Sequence, residues 1–415
     1  MELIVQAVFF IISFIFLFNK DRFLSIFYFV LYVYMLPDEI SCRYYPFLLP
    51  RTVVGNDVYV PFFIFCTTSL IALWLFLYRF ADRKMVVQCV GKGTMVMWRK
   101  VVVYGILLYV FAYQGINIIL AGDSINYFAL TDLSYVASNP ALHRAASISS
   151  LSRPLVLLLL VKFLNTKGAE RNFSAILFAW GVIQNMYYSY QAGSRSSMLG
   201  LLMGIVFMFL ADRKLNFKTI MLVGLLLFGG YQLTASAFQL RSGRSQIDRS
   251  NRYSILTQDY AGPEVNTIAV VKYHYVDPWE LLKSQFLKTF PYVKYPYLYV
   301  TVGELFAPGV VNKTEGYGFY VLTEGYICAG QFGFFYNAIF IGGLLLYWRR
   351  LGRTNDSMFN RFILSFMMMS VFAVVRTQSN FMIRNTYMQI FPATIMYAWL
   401  MGVKIDLKRL FLRLR

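Results

Sequence analysis

The amino-acid sequence predicts an all-α, polytopic integral membrane protein with about 11 transmembrane helices. Hydrophobic residues make up 58% of the 415 residues and charged residues only 14%, whereas globular domains run near 25% charged. Apolar runs also recur along the whole chain. In water they would expose more apolar surface than a monomer tolerates, whereas in a bilayer they form helices that satisfy their own backbone hydrogen bonds.

Eleven apolar stretches are the candidate spans. Crossing the hydrocarbon core takes roughly 20 apolar residues, with about 17 as the short limit, and several stretches, including the first two and the seventh, are shorter than that. The eleven lie near residues 3–18, 23–36, 58–78, 101–120, 154–170, 173–190, 197–210, 219–240, 318–347, 362–375 and 385–403. The chain is therefore expected to comprise spans one to eight with short loops (1–240), one large and partly helical loop (241–317), and the last three spans with a basic tail (318–415). The aromatic content of the large loop predicts that it is folded.

The formal net charge of +19 is distributed unevenly. Alternate connecting segments hold 23 of the 39 Lys and Arg residues but only 6 of the 20 acidic residues. By the positive-inside rule these segments are cytoplasmic, as is the C-terminus, and an odd number of spans leaves the N-terminus outside. The segments are 19–22, 79–100, 162–172, 211–218, 348–361 and 404–415. Membrane topology therefore explains most of the excess of Lys and Arg, and we expect no nucleic acid as a partner.

Several kinds of site find no support in the sequence. The four cysteines are dispersed, and only two histidines, His143 and His274, are present. This pattern predicts neither a disulfide framework nor a metal site. P-loop, GxSxG, HExxH and DxD patterns are lacking, which argues against ATP hydrolysis, serine hydrolysis and a metal-dependent nucleotide-sugar site. We expect no metal and no cofactor.

Arginines on the predicted outer side are the first candidate functional residues, because the positive-inside bias does not explain them. Their guanidinium groups suit phosphate, so they are candidates for binding a diphosphate or a glycan. They lie in the turn 191–197, in the segment 241–252 after span eight and in the last external turn, 376–384. The residues are Arg195, Arg241, Arg244, Arg252, Arg376 and Arg384. Contact with lipid headgroups, a salt-bridged surface helix and snorkelling to the interface are the alternatives for them.

Three residues are candidate catalytic groups. Glu324 lies in the Gly-rich, aromatic start of span nine, where a buried carboxylate can serve as an acid or a base. His274 and Glu264 lie in the large loop and are alternative bases. A structural role is the alternative for each, including pairing of Glu324 with an arginine. Loop aromatics, Trp279 among them, can stack on sugar rings or simply pack in the loop.

The layout resembles the bacterial O-antigen polymerases of the Wzy type, also called oligosaccharide repeat-unit polymerases. The resemblance covers span number, a cytoplasmic C-terminus and one large late external loop. Gly193-Ser194-Arg195 resembles the family's Gly-(Ser/Thr)-Arg turn. Glu324-Gly325-Tyr326, followed by Gly330 and Gly333, resembles its Glu-x-Tyr-x-x-x-Gly-x-x-Gly motif. The family's arginine-to-glycine loop motif is not met cleanly, because the spacing from Arg252 to Gly262 is one residue short.

The resemblance implies a multi-pass protein of the bacterial inner membrane with loop 241–317 and the active site in the periplasm. It implies a metal-independent glycosyltransferase that joins undecaprenyl-diphosphate-linked oligosaccharides in lipopolysaccharide biosynthesis. Arginines would stabilise the diphosphate leaving group, and a carboxylate or histidine would deprotonate the acceptor hydroxyl. Membrane lipid and a chain-length regulator protein are candidate partners. We expect activity to depend on Arg195, Arg241 or Arg244.

Other functions remain open on the sequence alone. An O-antigen ligase shares the donor and the outer arginines but uses a different acceptor. A lipid-linked oligosaccharide flippase or another transporter is non-enzymatic, and it predicts paired halves with broken midplane helices and short loops. A lipid-binding scaffold without activity is a further alternative.

Overall fold

A computed structural model describes residues 2–44, 56–81, 88–93, 97–125, 138–192, 194–210, 266–290, 293, 295–296, 298–306 and 320–412. In these ranges the chain is predominantly helical, with a helical segment at 266–272 and two short strands, β1 (Val90–Lys92) and β2 (Val403–Ile405). The helices are α1 (Glu2–Lys20), α2 (Arg22–Tyr44), α3 (Asn56–Phe80), α4 (Met97–Ala121), α5 (Pro140–Asn165), α6 (Gly168–Gln191), α7 (Arg195–Leu210), α8 (Pro278–Thr289), α9 (Leu298–Phe306), α10 (Thr323–Ala329), α11 (Gly342–Leu351), α12 (Ser357–Met369), α13 (Val371–Val375), α14 (Asn380–Asn385) and α15 (Phe391–Met401).

Five helical segments of the described chain are long and apolar enough to cross a membrane: Glu2–Lys20, Asp57–Phe80, Met97–Ser124, Pro140–Asn165 and Thr323–Leu351. Two shorter apolar helices cover Arg22–Met35 and Ser197–Leu210. The predicted all-α chain with several membrane-type helices is therefore confirmed. The count of eleven spans and the external loop stay predictions, since the eighth span and much of 241–317 lie outside the described residues.

The bounds of helix α5 differ from those of the fifth predicted span. Residues 154–170 were expected to be helical, but α5 covers Pro140–Asn165. It begins earlier because the Asn139 side chain caps it, accepting a hydrogen bond from the Leu142 N–H at 3.1 Å, and because Pro140 suits a first helical turn. The polar residues 140–153, expected in a loop, are thus part of a helix.

The chain divides into two compact units. The first contains Met1–Lys84, Ile247–Arg349 and Val371–Arg384, and the second contains Met85–Gln246, Arg350–Ser370 and Asn385–Arg415. In the first unit, α1, α2 and α3 pack on one another. The buried Arg349 forms an ion pair with Asp21, between α1 and α2, and donates a hydrogen bond to the Ala81 carbonyl after α3. The Arg349 side chain therefore links three of the predicted basic segments, 19–22, 79–100 and 348–361.

The second unit is built around α4–α7, α12 and α15. Gly200 and Gly204 let α7 approach α12, because a Cβ at Gly200 would lie 2.4 Å from the Met369 carbonyl oxygen and one at Gly204 would lie 3.1 Å from that of Ser365. The GxxxG pattern of α7 is therefore a helix-packing feature, as is common in membrane helices.

The basic segments of the second unit also meet at one end. Strands β1 and β2 pair in antiparallel fashion, with Val90 opposite Ile405. The Asn355 side chain accepts a hydrogen bond from the Val90 N–H at 2.9 Å. Nearby, Glu170 forms ion pairs with Lys162 at 2.9 Å and Lys100 at 3.5 Å. Burial raises the pKa of Glu170, but the hydrogen bonds and charges of the two lysines outweigh it, so this pKa lies below its usual value.

The helical run that starts at Thr323 is interrupted, although one continuous span was expected at 318–347. The first helix, α10, ends at Gly330, whose φ of 59° lies in the left-handed region that favours glycine. A 3₁₀ turn (Gly330–Gly333), a short α-helical turn and a π-helical turn (Asn337–Ile341) lead into α11. The interruption brings Gly333 against Gly325, where a Cβ on Gly333 would lie 1.8 Å from the Gly325 carbonyl oxygen.

We predict that Gly333→Ala destabilises the protein by about 3 kcal/mol or more, since the new methyl group would meet rigid backbone. Gly343→Ala is the matched control, because a Cβ at Gly343 has no heavy atom within 4 Å. The measurement is thermal unfolding of the purified full chain in detergent. Equal stability of the two variants would contradict the close approach.

Candidate functional site

The Glu324 carboxylate is the centre of a buried polar cluster in the first unit. The Ser379 N–H donates to Oε1 at 2.7 Å, and the Ser379 hydroxyl donates to Oε2 at 2.6 Å. The Tyr336 hydroxyl donates to Oε2 at 3.2 Å. Glu324 and Ser379 are both fully buried. Hydrogen bonds of this kind stabilise a carboxylate that has left water, so Glu324 fixes the turn before α14 to the start of α10.

A second layer of polar groups surrounds this contact. Helix α8 presents two of them, and its start is fixed by Pro278 and by Asp277, whose side chain accepts a hydrogen bond from the Glu280 N–H at 2.9 Å. Four hydrogen bonds then link α8, α9, α10 and the 376–380 turn into one polar network. They run from Gln285 to the Ser379 hydroxyl (2.9 Å), from Gln378 to the Ser284 hydroxyl (3.2 Å), from the Leu298 N–H to Gln378 (3.1 Å) and from the Ser379 N–H to Glu324 (2.7 Å).

Pairing with an arginine was the structural alternative for Glu324. No arginine pairs with it among the described residues. Its partners are a backbone amide and two hydroxyl groups. The carboxylate is enclosed, and both of its oxygens accept hydrogen bonds. That geometry favours a residue that positions other groups over one that meets a substrate.

His274 is an exposed alternative. It follows the helical segment 266–272, and its φ of 49° is the only positive φ of a non-glycine residue in the described chain. Such a conformation is uncommon outside glycine and often marks functional positions. The His274 Nδ1 lies 3.1 Å from the Tyr326 hydroxyl, which in turn lies 3.5 Å from the Val271 carbonyl oxygen. If Tyr326 donates to that carbonyl and accepts from Nδ1–H, the Nε2 lone pair is left to accept a proton.

Each motif residue of the segment after Thr323 thus has a separate physical role. Glu324 binds the 376–380 turn, and Tyr326 holds the ring of His274. Gly330 adopts the left-handed conformation, and Gly333 allows the close backbone approach. The buried Asn337 closes the interruption by donating to the Ser69 hydroxyl at 3.0 Å and to the Leu322 carbonyl at 2.9 Å.

The candidate arginines are distributed over both units. Arg376 and Arg384 flank the turn that carries Ser379, and both side chains are partly buried. Arg384 lies near Lys288 of α8, and burial, together with the charge of Arg384, lowers the pKa of Lys288. The structure therefore brings these two arginines, Glu324 and His274 into the same unit. Arg195 belongs to the second unit and is the first residue of α7.

The connection before Arg195 is shorter than the predicted turn 191–197. Only Ala192, Gly193 and Ser194 separate α6 from α7. The Ser194 N–H donates to the Ser189 carbonyl at 2.8 Å, and the Ser194 hydroxyl donates to Ser197 at 2.7 Å. The remaining candidates, Arg241, Arg244, Arg252 and Glu264, lie outside the described residues.

The loop aromatics take two different positions. Trp279 is 65% exposed on α8, where a ring or a lipid can reach it. Tyr295 instead donates a hydrogen bond to Glu280, and burial together with this contact raises the pKa of Tyr295 to about 12. Tyr295 is therefore a neutral donor at physiological pH and a structural member of the loop.

Sequence reasoning did not identify Ser379, Gln285, Gln378 or Tyr336. The sequence pattern around these residues was weak evidence for a site, because a serine or glutamine beside an apolar run is common. The polar stretch Thr377-Gln378-Ser379-Asn380 between two apolar spans was the usable indication. Among the described residues, no cluster of three or more His, Cys, Asp or Glu side chains could hold a metal.

We predict that Glu324→Gln lowers the free energy of unfolding by about 3 kcal/mol, because its amide would present hydrogens to groups that are themselves donors. Glu304→Gln is the control, since Glu304 is an exposed carboxylate of α9 in the same unit. Thermal unfolding of both purified variants measures the difference. A stable Glu324→Gln variant without activity would instead assign Glu324 to the chemistry.

Comparison with known proteins adds no relative: no family model, no curated protein and no solved structure matches this chain.

Proposed function

We propose that this chain is a polysaccharide polymerase of the O-antigen type, a glycosyltransferase that joins undecaprenyl-diphosphate-linked oligosaccharide repeat units at the periplasmic face of the bacterial inner membrane. The observation that carries the proposal is the His274–Tyr326 contact, 3.1 Å from Nδ1 to the hydroxyl. It couples an exposed potential base to the segment that resembles the family's Glu-x-Tyr-x-x-x-Gly-x-x-Gly motif. Arg376 and Arg384 border the turn that the same segment holds.

The proposal includes an eleven-span topology with a periplasmic N-terminus and loop 241–317, and a cytoplasmic C-terminus. It is supported by contacts among the basic segments. Segments 19–22, 79–100 and 348–361 meet through Arg349 in the first unit. In the second unit, 79–100 also contacts 404–415 through the strand pair and 162–172 through Glu170. Segments on opposite faces of a bilayer about 30 Å thick would not touch.

The proposed reaction needs a base and a stabilised leaving group. A sugar hydroxyl of the incoming lipid-linked unit attacks the anomeric carbon of the growing glycan. The bond from that carbon to the diphosphate oxygen breaks, and its electron pair leaves with the polyprenyl diphosphate. His274 Nε2 takes the hydroxyl proton, while arginines stabilise the charge on the leaving group. Glu324 acts by holding the 376–380 turn in place.

An O-antigen ligase is the nearest alternative, because it uses the same donor chemistry. We predict that deletion of the gene leaves single repeat units attached to the lipid A-core, seen as one short band on a polysaccharide gel. Complete loss of attached glycan, with long polymer retained on the carrier lipid, would instead identify a ligase. Unchanged surface polysaccharide would contradict both and favour a transporter or a scaffold.

We predict that His274→Asn fails to restore long chains in the deletion strain, because loss of a general base slows proton transfer by roughly 10²–10⁴-fold. Asparagine tolerates the left-handed backbone at this position, so the variant is expected to keep its fold. His143→Asn is the matched control, since His143 is the only other histidine and is also exposed. Full chain length with His274→Asn at wild-type expression would remove His274 from the mechanism.

A further inference from the structure

The helical run that begins with α10 reverses its direction at Gly330. In a straight helix, residues eight and fifteen positions apart would lie about 12 Å and about 22 Å apart along the axis. Here the backbones of Gly325 and Gly333 are in close contact, and the Asn337 side chain donates to the Leu322 carbonyl at 2.9 Å. Helix α10 therefore folds back against the residues that lead into α11. Gly330 is the tip of this hairpin, and residues 331–351 are its long arm.

Helix α3 provides a depth scale for the hairpin, because its residues Asp57–Phe80 are long and apolar enough to cross a membrane. The Gln331 side chain donates to the Pro61 carbonyl at 3.1 Å, and the Asn337 side chain donates to the Ser69 hydroxyl at 3.0 Å. At 1.5 Å per residue, these two levels lie about 6 Å and about 18 Å from Asp57 along the axis. In a hydrocarbon core of about 30 Å, the tip is thus near one membrane face, and the first residues of α10 are near the middle.

Helix α8 runs beside α10 in the opposite direction. Its start lies near the tip of the hairpin, because the Asp277 N–H donates to the Ile327 carbonyl at 3.0 Å. Further along α8, Gln285 donates at 2.9 Å to the Ser379 hydroxyl, which itself donates to Glu324. Glu324 lies about one helical turn farther from the tip than Ile327. Helix α8 therefore starts near the membrane face and runs toward the level of the bilayer interior.

The two faces of α8 differ in burial. Leu281, Ser284 and Gln285 are buried, and the last two belong to the polar network around Glu324. On the other side are four large apolar side chains, whose exposed fractions run from 48% to 65%. At 100° per residue they lie within an arc of about 80°. We call them the α8 stripe: Trp279, Leu282, Phe286 and Phe290.

Lipid is the environment that suits the α8 stripe at this depth. A contiguous exposed apolar patch is unfavourable in water and often marks a membrane contact. The stripe also begins beside other exposed apolar side chains. Val276 lies against the tip, since a Cβ on Gly330 would be 3.7 Å from its Cγ2. Phe332, Phe335 and Ile339 follow on the long arm and are all exposed. Both elements therefore present one apolar surface to the surroundings of a membrane-type segment.

The charged groups next to the stripe are compatible with lipid. Lys283 lies at its edge, and its ammonium group pairs with Glu280 at 3.8 Å. The Tyr295 hydroxyl donates a hydrogen bond to the same carboxylate. Side chains on a helix lean toward its N-terminus, which for α8 is the end near the membrane face. Lys283 can therefore snorkel toward the headgroups, and Trp279, near the same end, matches the interfacial preference of tryptophan.

We propose that α8 is a re-entrant helix that inserts the α8 stripe among the acyl chains of the outer leaflet. The insertion rests on contacts within the first unit. The choice of the outer leaflet rests on the proposed function and its topology, in which Arg349, at the far end of the long arm, lies at the cytoplasmic face. The chain around α8 then enters and leaves the bilayer on the periplasmic side. Helix α8 also separates the Glu324 cluster from lipid, as buried polar groups at membrane depth require.

Site-directed spin labelling of the full chain in liposomes of phosphatidylethanolamine and phosphatidylglycerol tests the insertion. The four native cysteines are replaced by alanine, and one cysteine is introduced for the label. Collisions of the label with oxygen, which concentrates in lipid, are compared with collisions with a water-soluble nickel chelate. We expect Phe286→Cys to favour oxygen, as does Ile339→Cys on the long arm. Lys404→Cys, exposed in a basic segment, is the aqueous control and should favour nickel.

Three results would overturn the proposal. Nickel access at Phe286→Cys equal to that at Lys404→Cys would place the stripe in water. Low access to both reagents would identify a protein partner or a second copy of the chain as the occupant. The label at Trp279→Cys is expected to lie closer to the membrane surface than the label at Phe286→Cys. Equal depths would instead describe a helix that lies flat at the interface.

A charge substitution tests the same contact without a label. We expect Phe286→Asp to lower the unfolding temperature in lipid nanodiscs, because a carboxylate would enter the hydrocarbon. Phe286→Leu is the matched control and should unfold as the wild type does. Equal unfolding temperatures of the two variants would contradict the insertion. Neither measurement depends on activity, so a chain that makes no polymer would overturn the proposed function and leave the insertion of α8 to these results.

Discussion

The first unit depends on the need to satisfy one carboxylate that has no access to water. Glu324 is fully buried, and its two oxygens accept three hydrogen bonds from Ser379 and Tyr336. Because an unsatisfied buried charge is among the costliest defects in a protein, the donors must be held in place. Gln285 and Gln378 provide that support by joining α8, α9 and the 376–380 turn. The polar network therefore determines where Arg376, Arg384 and, through Tyr326, His274 are held.

The two units use charge in opposite ways. In the first, Arg349 is buried but neutralised by Asp21, and it gathers chain segments that are distant in sequence. In the second, Arg153 has a buried Nε and no acidic partner among the described residues. The first charge is neutralised within the chain, whereas the second has no counter-charge among the described residues.

Much of the helical framework could be predicted from apolar runs, since burial in lipid requires long uninterrupted hydrophobic segments. Helices α1, α3, α4, α6 and α7 lie close to the predicted spans. The interruption at Gly330 could not be predicted, because the left-handed conformation of Gly330 and the close approach of Gly333 to Gly325 exist only in the folded chain. The early start of α5 was also missed, because its first half is polar and hydropathy assigned it to a loop. Arg153 was overlooked for the same reason. Glu324 and His274 were identified as residues, but burial and hydrogen bonding were needed to separate their roles.

The three-residue connection between α6 and α7 has a consequence for how such a chain can diversify. With only Ala192, Gly193 and Ser194 between two helices, the depth of Arg195 is fixed by helix length alone. Inserting one residue into α6 would shift everything after it by about 1.5 Å and rotate it by about 100°. This hairpin therefore tolerates substitutions but not changes in length. Changes in length would accumulate instead in the longer connections, where added residues leave that depth unchanged.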